Sequence, residues 1–270
     1  FQVDQNASFS PTNIDIQLQR PLNAWSNPYF RYYPSDSIHI NTIKTTQGNS
    51  QVYLNNVSVD TIYGSNSVNL TAYDSEIVFF DAGYPNIELT RSYTSSPIDA
   101  NYLNVRLYDN SQVPSIKSNS WAHVCLQNNS ATDSVIVNGN LEIGGQNNTK
   151  IPLVRSETLD ARYVCAGGTL NLGNVFTQGN IQMSIPVNID TLNMGYPATM
   201  MLNHSGTSQI TFLKSLAPCD STNRIESKTS FAAKTLDLSD GNITNTHFRD
   251  VINSNPSGLT ISSGNLTRTT

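Results

Sequence analysis

Charge is scarce in this chain. Asp, Glu, Lys and Arg make up 13% of its 270 residues, about half the usual share of a globular domain. The 15 Lys and Arg are scattered, and the pI is about 5.2. With no basic patch, nucleic acid is excluded as a partner. No apolar run approaches the roughly 18 residues that span a bilayer. No stretch carries apolar residues at helical spacing.

Cysteine is limited to Cys125, Cys165 and Cys219. No two lie close enough for a zinc or redox motif. Cys125 and Cys165 can pair if their strands stack; free buried thiols are the other reading. The signatures of several chemistries are missing too. His39, His123, His204 and His247 each stand alone, with no His-x-His or His-Glu-x-x-His spacing to hold a metal. There is no Gly-x-Ser-x-Gly elbow, and "CAGGTLNLGN" leads into a strand where a phosphate loop would open a helix. Neither a metal nor a cofactor is expected.

What fills the gap is uncharged polar: Asn, Ser, Thr and Gln. Disorder does not follow, because net charge is only −5 and Tyr, Ile, Val and Leu recur throughout. A hydrophobic share of 37% fits a β-rich chain with a thin core and a wide surface. Asn-x-Ser/Thr sequons occur at Asn6, Asn56, Asn69, Asn128, Asn147, Asn203, Asn242 and Asn265. A chain of this composition makes that pattern by chance, so it carries little weight.

Residues 1–34 differ from the rest. "RPLNAWSNPYFRYYPSDS" is Pro-punctuated and dense in rings. It reads either as a cap over an open core end or as an aromatic platform for a sugar or protein. On the second reading Trp25, Tyr29 and Tyr32 are the candidate ligand contacts.

From residue 35 to 270 a rhythm sets in. "QVYLNNVSVDTIYG" alternates Val52/Leu54 and Val57/Val59; "NIQMSIPVNIDTLNMG" alternates Ile181, Met183, Ile185, Val187 and Ile189. Period-two alternation over few residues predicts short, half-buried strands. They are joined by Asn-Gly, Gly-Asn, Asp-Gly or bare Asn, which suit tight corners. Strand groups begin near residues 38, 52, 68, 87, 103, 119, 135, 153, 170 and 189, at steps of roughly one solenoid coil. The expectation is an all-β right-handed parallel β-helix, with β-sandwich domains as the alternative. Leu170, Leu172, Ile181, Met183, Ile185, Leu236 and Leu238 are expected to point inward. "TLDLSDGNIT" is expected to break at Asp240–Asn242 and to resume as a second strand at Ile243.

The acids favour a turn role over catalysis. Asp160-Ala161-Arg162 sets an acid beside a base, and Asp237 and Asp240 flank the expected turn. A glycosidase needs two carboxylates at a controlled separation, which spacing along the chain does not display. The expectation is no catalytic activity. Were there a site, Asp160, Arg162, Asp237 and Asp240 would be its first members.

The stretch "FLKSLAPCDSTNRIESKTSFAAKTLDLSDGNITNTHFRDVI", with "GGTLNLGNVFTQGNIQMS" before it, resembles a recurring stretch of large surface proteins of gliding and related Bacteroidota bacteria. That resemblance implies export across the outer membrane, cell-surface display, and adhesive or gliding work by a long filament-like protein. The chain opens at Phe1 rather than Met, and a segment of something longer is expected. Three functions follow. The first is an extracellular structural and adhesive segment, whose partners are neighbouring segments and a surface protein or carbohydrate. The second is a polysaccharide-active β-helix enzyme. The third is a viral or phage receptor-binding fibre.

Overall fold

A computed structural model describes residues 2–3, 15–18, 29–32, 38–45, 49–146, 149–162, 168–229 and 232–255. All regular structure in it is strand, and among the described residues there is no helix, hence none long and apolar enough to cross a membrane. The chain is a right-handed parallel β-helix. It divides into two compact units, residues 1–133 and 134–270.

The first unit holds β1 (Gln2–Val3), β2 (Asp15–Leu18), β3 (Tyr29–Tyr32), β4 (Ile38–Thr45), β5 (Ser50–Asn55), β6 (Val57–Tyr73), β7 (Glu76–Thr90), β8 (Tyr93–Thr94), β9 (Ile98–Tyr108) and β10 (Gln112–Gln127). Successive coils pair in parallel. β4 and β5 lie along consecutive stretches of β6, with Ile38↔Val57 and Val52↔Leu70; β6 then lies along β7, with Val59↔Ile77 and Leu70↔Ile87. The strands called from alternation are therefore longer than expected, because β6 runs through a corner without ending. Its register shifts between Gly64 and Ser67. A Cβ at Gly64 would run into Val68, so the chain bends where a side chain cannot fit. The described strands within residues 1–34 belong to the same ladder: β2 pairs with β4, and β3 with β5.

Each strand sends alternate residues inward, and the coils stack like on like. Val52, Leu70, Ile87, Val105 and Val124 form one buried column. A single coil cannot cover its own apolar side; stacking on the next coil does so and satisfies the backbone at the same time.

The corners carry a second ladder. Asn56, Asp74, Arg91, Asp109 and Asn128 all hold left-handed backbone, with φ between 48° and 56°. Beside them run buried serines. Ser75 Oγ accepts from Val57 N–H at 3.2 Å, Ser92 Oγ from Ser75 N–H at 3.0 Å, and Ser111 Oγ from Ser92 N–H at 3.2 Å. Each serine also donates to a carbonyl of its own coil: Tyr73, Thr90 and Tyr108. One small hydroxyl thus satisfies a donor of one coil and an acceptor of the next, where regular ladder bonds stop.

The second unit holds β11 (Ala131–Gln146, the division falling within it), β12 (Lys150–Ala161), β13 (Leu170–Thr177), β14 (Ile181–Met183), β15 (Val187–Met194), β16 (Thr199–Leu202), β17 (Ser208–Leu216), β18 (Asn223–Ser227), β19 (Lys234–Thr244), β20 (Thr246–Arg249) and β21 (Val251–Asn253). Pairing is again parallel, as in Leu172↔Ile189↔Ile210↔Leu238 and Leu159↔Ile181↔Met200↔Ile225. The hairpin-linked sandwich is thereby set aside. Leu170, Leu172, Ile181, Met183, Ile185, Leu236 and Leu238 are all buried. The expected break at Asp240–Asn242 is corrected: β19 runs straight through Gly241. Glycine is there for close approach, since a Cβ would sit 2.8 Å from the Leu213 carbonyl oxygen of the coil beneath.

Candidate binding surface

Of the expected ligand contacts, Trp25 lies outside the described residues, as do the side chains of Tyr29 and Tyr32. The structure places an aromatic surface elsewhere in the first unit. Tyr84 and Tyr102 occupy successive coils, two residues before the paired Asn86↔Asn104. Their rings stack with centroids 5.5 Å apart at 23°. Trp121 comes next in register, opposite Tyr102, and meets His123 edge-on at 5.9 Å. Three rings therefore stand one per coil. Tyr84 and Tyr102 remain 53% and 46% exposed, an uncommon state for two stacked aromatics in a folded domain. Amides flank the rings: Asn86 donates to Asn69 at 3.1 Å, and Asn119 lies 3.4 Å from Asn101 Oδ1. Tyr63 and Phe79 form a further exposed pair, tilted at 59° with centroids 6.0 Å apart.

This surface arises from two elementary facts. Strand residues alternate between core and solvent, and parallel coils repeat about every 4.8 Å. An aromatic at an outward position, repeated one coil later, must stand beside its predecessor. Flat rings flanked by amides can stack on the apolar face of a sugar ring while the amides reach its hydroxyls.

The acids are distributed as follows. Asp160 on β12 faces Glu142 on β11 and Gln182 on β14 across the register. Arg162 pairs with Glu142 through Nη2 and lies 3.4 Å from Asp160 Oδ2 through Nε. Burial pushes the Asp160 carboxyl above the usual carboxylate range, and the Lys228 charge partly offsets this. Asp237 and Asp240 are not brought to that cluster. Asp237 belongs to a different outward column, opposite Gln209, whose Nε2 is 3.4 Å away. Asp240 Oδ1 accepts from the N–H of Gly241 at 2.7 Å, a local backbone role.

His39 makes an exposed 3.1 Å contact with Asp60. His204 is buried in a bend, its Nε2 2.8 Å from Ser208 Oγ. Among the described residues no three of His, Cys, Asp and Glu converge to hold a metal ion. Cys125 is buried and disulfide-bonded, and Cys219 is a free, exposed thiol; Cys165, which the sequence left either to pair with Cys125 or to stay free, lies outside the described residues. Comparison with protein-family models, with curated proteins and with solved structures yields no match.

Proposed function

We propose that this chain is an extracellular structural and adhesive segment of a large cell-surface protein, whose Tyr84–Tyr102–Trp121 ladder contacts carbohydrate. The observation that carries the reading is the stacked, half-exposed Tyr84–Tyr102 pair. Rings stacked on each other yet half exposed present apolar area at little entropic cost, since the stack already holds their rotamers. The scaffold suits display. Each coil touches only its neighbours, so coils can be added without redesign of the core. The disulfide at Cys125 agrees with an oxidising, extracellular setting. The resemblance to Bacteroidota surface adhesins points the same way.

The test is a glycan array probed with the purified chain and with a Tyr84→Ala/Tyr102→Ala double variant. Binding by the parent, lost in the variant at an unchanged thermal midpoint, supports the reading. A parent that binds no glycan, or a variant that binds as the parent does, refutes it. Antibody labelling of intact source cells tests the surface location.

A polysaccharide-active enzyme is the second reading, favoured by one observation. Asp160 is a half-buried carboxyl of raised pKa, close to Glu142 and Arg162, and a carboxyl in that state suits a general acid.

A further inference from the structure

We propose that the open groove on the second unit is a binding site for an acidic oligosaccharide, held between Arg155 and Lys214 over the ring of Phe176. The groove has a volume of about 550 Å3. Its floor is one outward column of four residues in register: Arg155↔Phe176, Phe176↔Asn193 and Asn193↔Lys214. Coils about 4.8 Å apart set the backbone positions of Arg155 and Lys214 about 14 Å from each other along that column, the reach of a short oligosaccharide.

The occupant is read from charge and shape. Arg155 and Lys214 are exposed, and among the described residues neither makes an ion pair. Arg155 is held in place by its guanidinium, 5.8 Å from the centroid of Phe176, a cation–π contact that costs no charge. Phe176 is itself 37% exposed, so ring surface is left for a ligand. Asn138 and Gln178 line the walls and supply amide donors and acceptors of the kind sugar hydroxyls need. Glu157 also lines the groove, which leaves an excess of one positive charge in a chain of net −5. A ligand with spaced carboxylates and apolar ring faces matches that set. A polyphosphate chain carries comparable charge but presents no pyranose face to Phe176, so charge alone does not select it.

The groove and the tyrosine ladder are built from different residues of different units, so the two are tested separately. Binding of the purified chain to short oligogalacturonates is measured by calorimetry. Xylo-oligosaccharides serve as the neutral counterpart and oligothymidylate as the polyphosphate. The expected result is selective binding of the oligogalacturonates, weakened by added salt. Lys214→Gln and Arg155→Gln each weaken it about tenfold, and Phe176→Ala abolishes it. All three side chains are at the surface, and an unchanged thermal midpoint confirms folding. The inference is overturned if the parent binds none of the probes, binds neutral and acidic sugars equally, or prefers oligothymidylate. It is equally overturned if the groove variants bind as the parent does.

Discussion

Arg91 holds Asp74 through two parallel hydrogen bonds, Nε to Oδ1 at 2.7 Å and Nη2 to Oδ2 at 2.8 Å, while both residues keep left-handed backbone at φ 49° and 48°. Asp tolerates that conformation; Arg has no local side-chain bond to ease it. The ion pair joins adjacent corners across one coil, yet both side chains are about half exposed. An exposed pair contributes about 0–1 kcal/mol. Arg91→Asn trades the pair for a residue suited to the backbone, and should shift stability by less than about 1 kcal/mol. Arg91→Val keeps neither advantage and should cost about 1–2 kcal/mol. Urea midpoints decide; an Asn variant less stable than the Val variant would refute the backbone argument. The Arg91 guanidinium holds the Asp74 carboxyl below its usual range. Its contribution is therefore present above the ordinary carboxylate pKa and is lost as pH falls through the lowered value.

The serine ladder should matter more than the ion pair. In Ser92→Ala the buried N–H of Ser75 loses its acceptor and the Thr90 carbonyl loses a donor. An unsatisfied buried group costs about 1–3 kcal/mol. Equilibrium unfolding of Ser92→Ala should show a loss in that range. A loss no larger than that of Arg91→Asn would mean that water replaces the hydroxyl.

Core columns set the largest effects. Leu172 and Leu236 are 1% exposed; Leu172 stacks between buried Ile151 and Ile189, and Leu236 lies on buried Ser208. Leu172→Ala and Leu236→Ala should each cost about 2–5 kcal/mol, read from thermal or denaturant midpoints. Midpoints that do not move would contradict the inward register of both strands.

Much of this was legible in the chain, for a physical reason. Inward residues such as Leu170, Ile181 and Leu238 announce themselves by period two, because a pleated strand allows nothing else. Corners at Asn56, Asn110 and Asn128 follow from the tolerance of Asn for positive φ. Arg91 gave no such signal, since its fit depends on Asp74 one coil earlier. The same limit hid the surfaces. Glu142 and Arg162 meet only through the parallel register. Tyr84 and Tyr102 are neighbours only once the coil length is known. Ser75, Ser92 and Ser111 are spaced by 17 and 19 residues, a faint signal in a serine-rich chain that becomes visible when read at the coil period. Gly241 misled because a glycine needed for close approach looks the same as one needed for a turn.

His204 predicts a pH response. Burial disfavours its imidazolium, so its pKa lies below the ordinary 6.5. The folded state then binds fewer protons than the unfolded state as pH falls. Stability from this group is complete above about pH 6.5, declines as pH drops through that value, and levels off below the folded pKa. Unfolding free energies measured between about pH 5 and 8 should show the decline. His204→Gln should flatten it, whatever its effect at neutral pH. An identical slope in the variant would assign the response to another group.

The last prediction concerns catalysis, and it sets the two functional readings against each other. Burial raises the pKa of Asp160, the direction a general acid needs, but its surroundings argue for a structural role. Arg162 ties up Glu142, the carboxylate opposite Asp160 in register, in an ion pair. A glycosidase needs its second carboxylate free to attack the sugar or activate water. Arg162 also lies against Asp160 Oδ2, where a general acid would have to keep its proton. Asp237 and Asp240, the other acids singled out, stand on two other columns and serve Gln209 and the backbone of Gly241. The purified chain should therefore leave a panel of neutral and acidic polysaccharides intact, assayed by reducing ends and by the absorbance of unsaturated products. Asp160→Asn should then change nothing but stability, and that slightly upward, because it removes a half-buried charge. Release of products by the parent, lost in Asp160→Asn and in Glu142→Gln while both remain folded, would make the enzyme the correct reading.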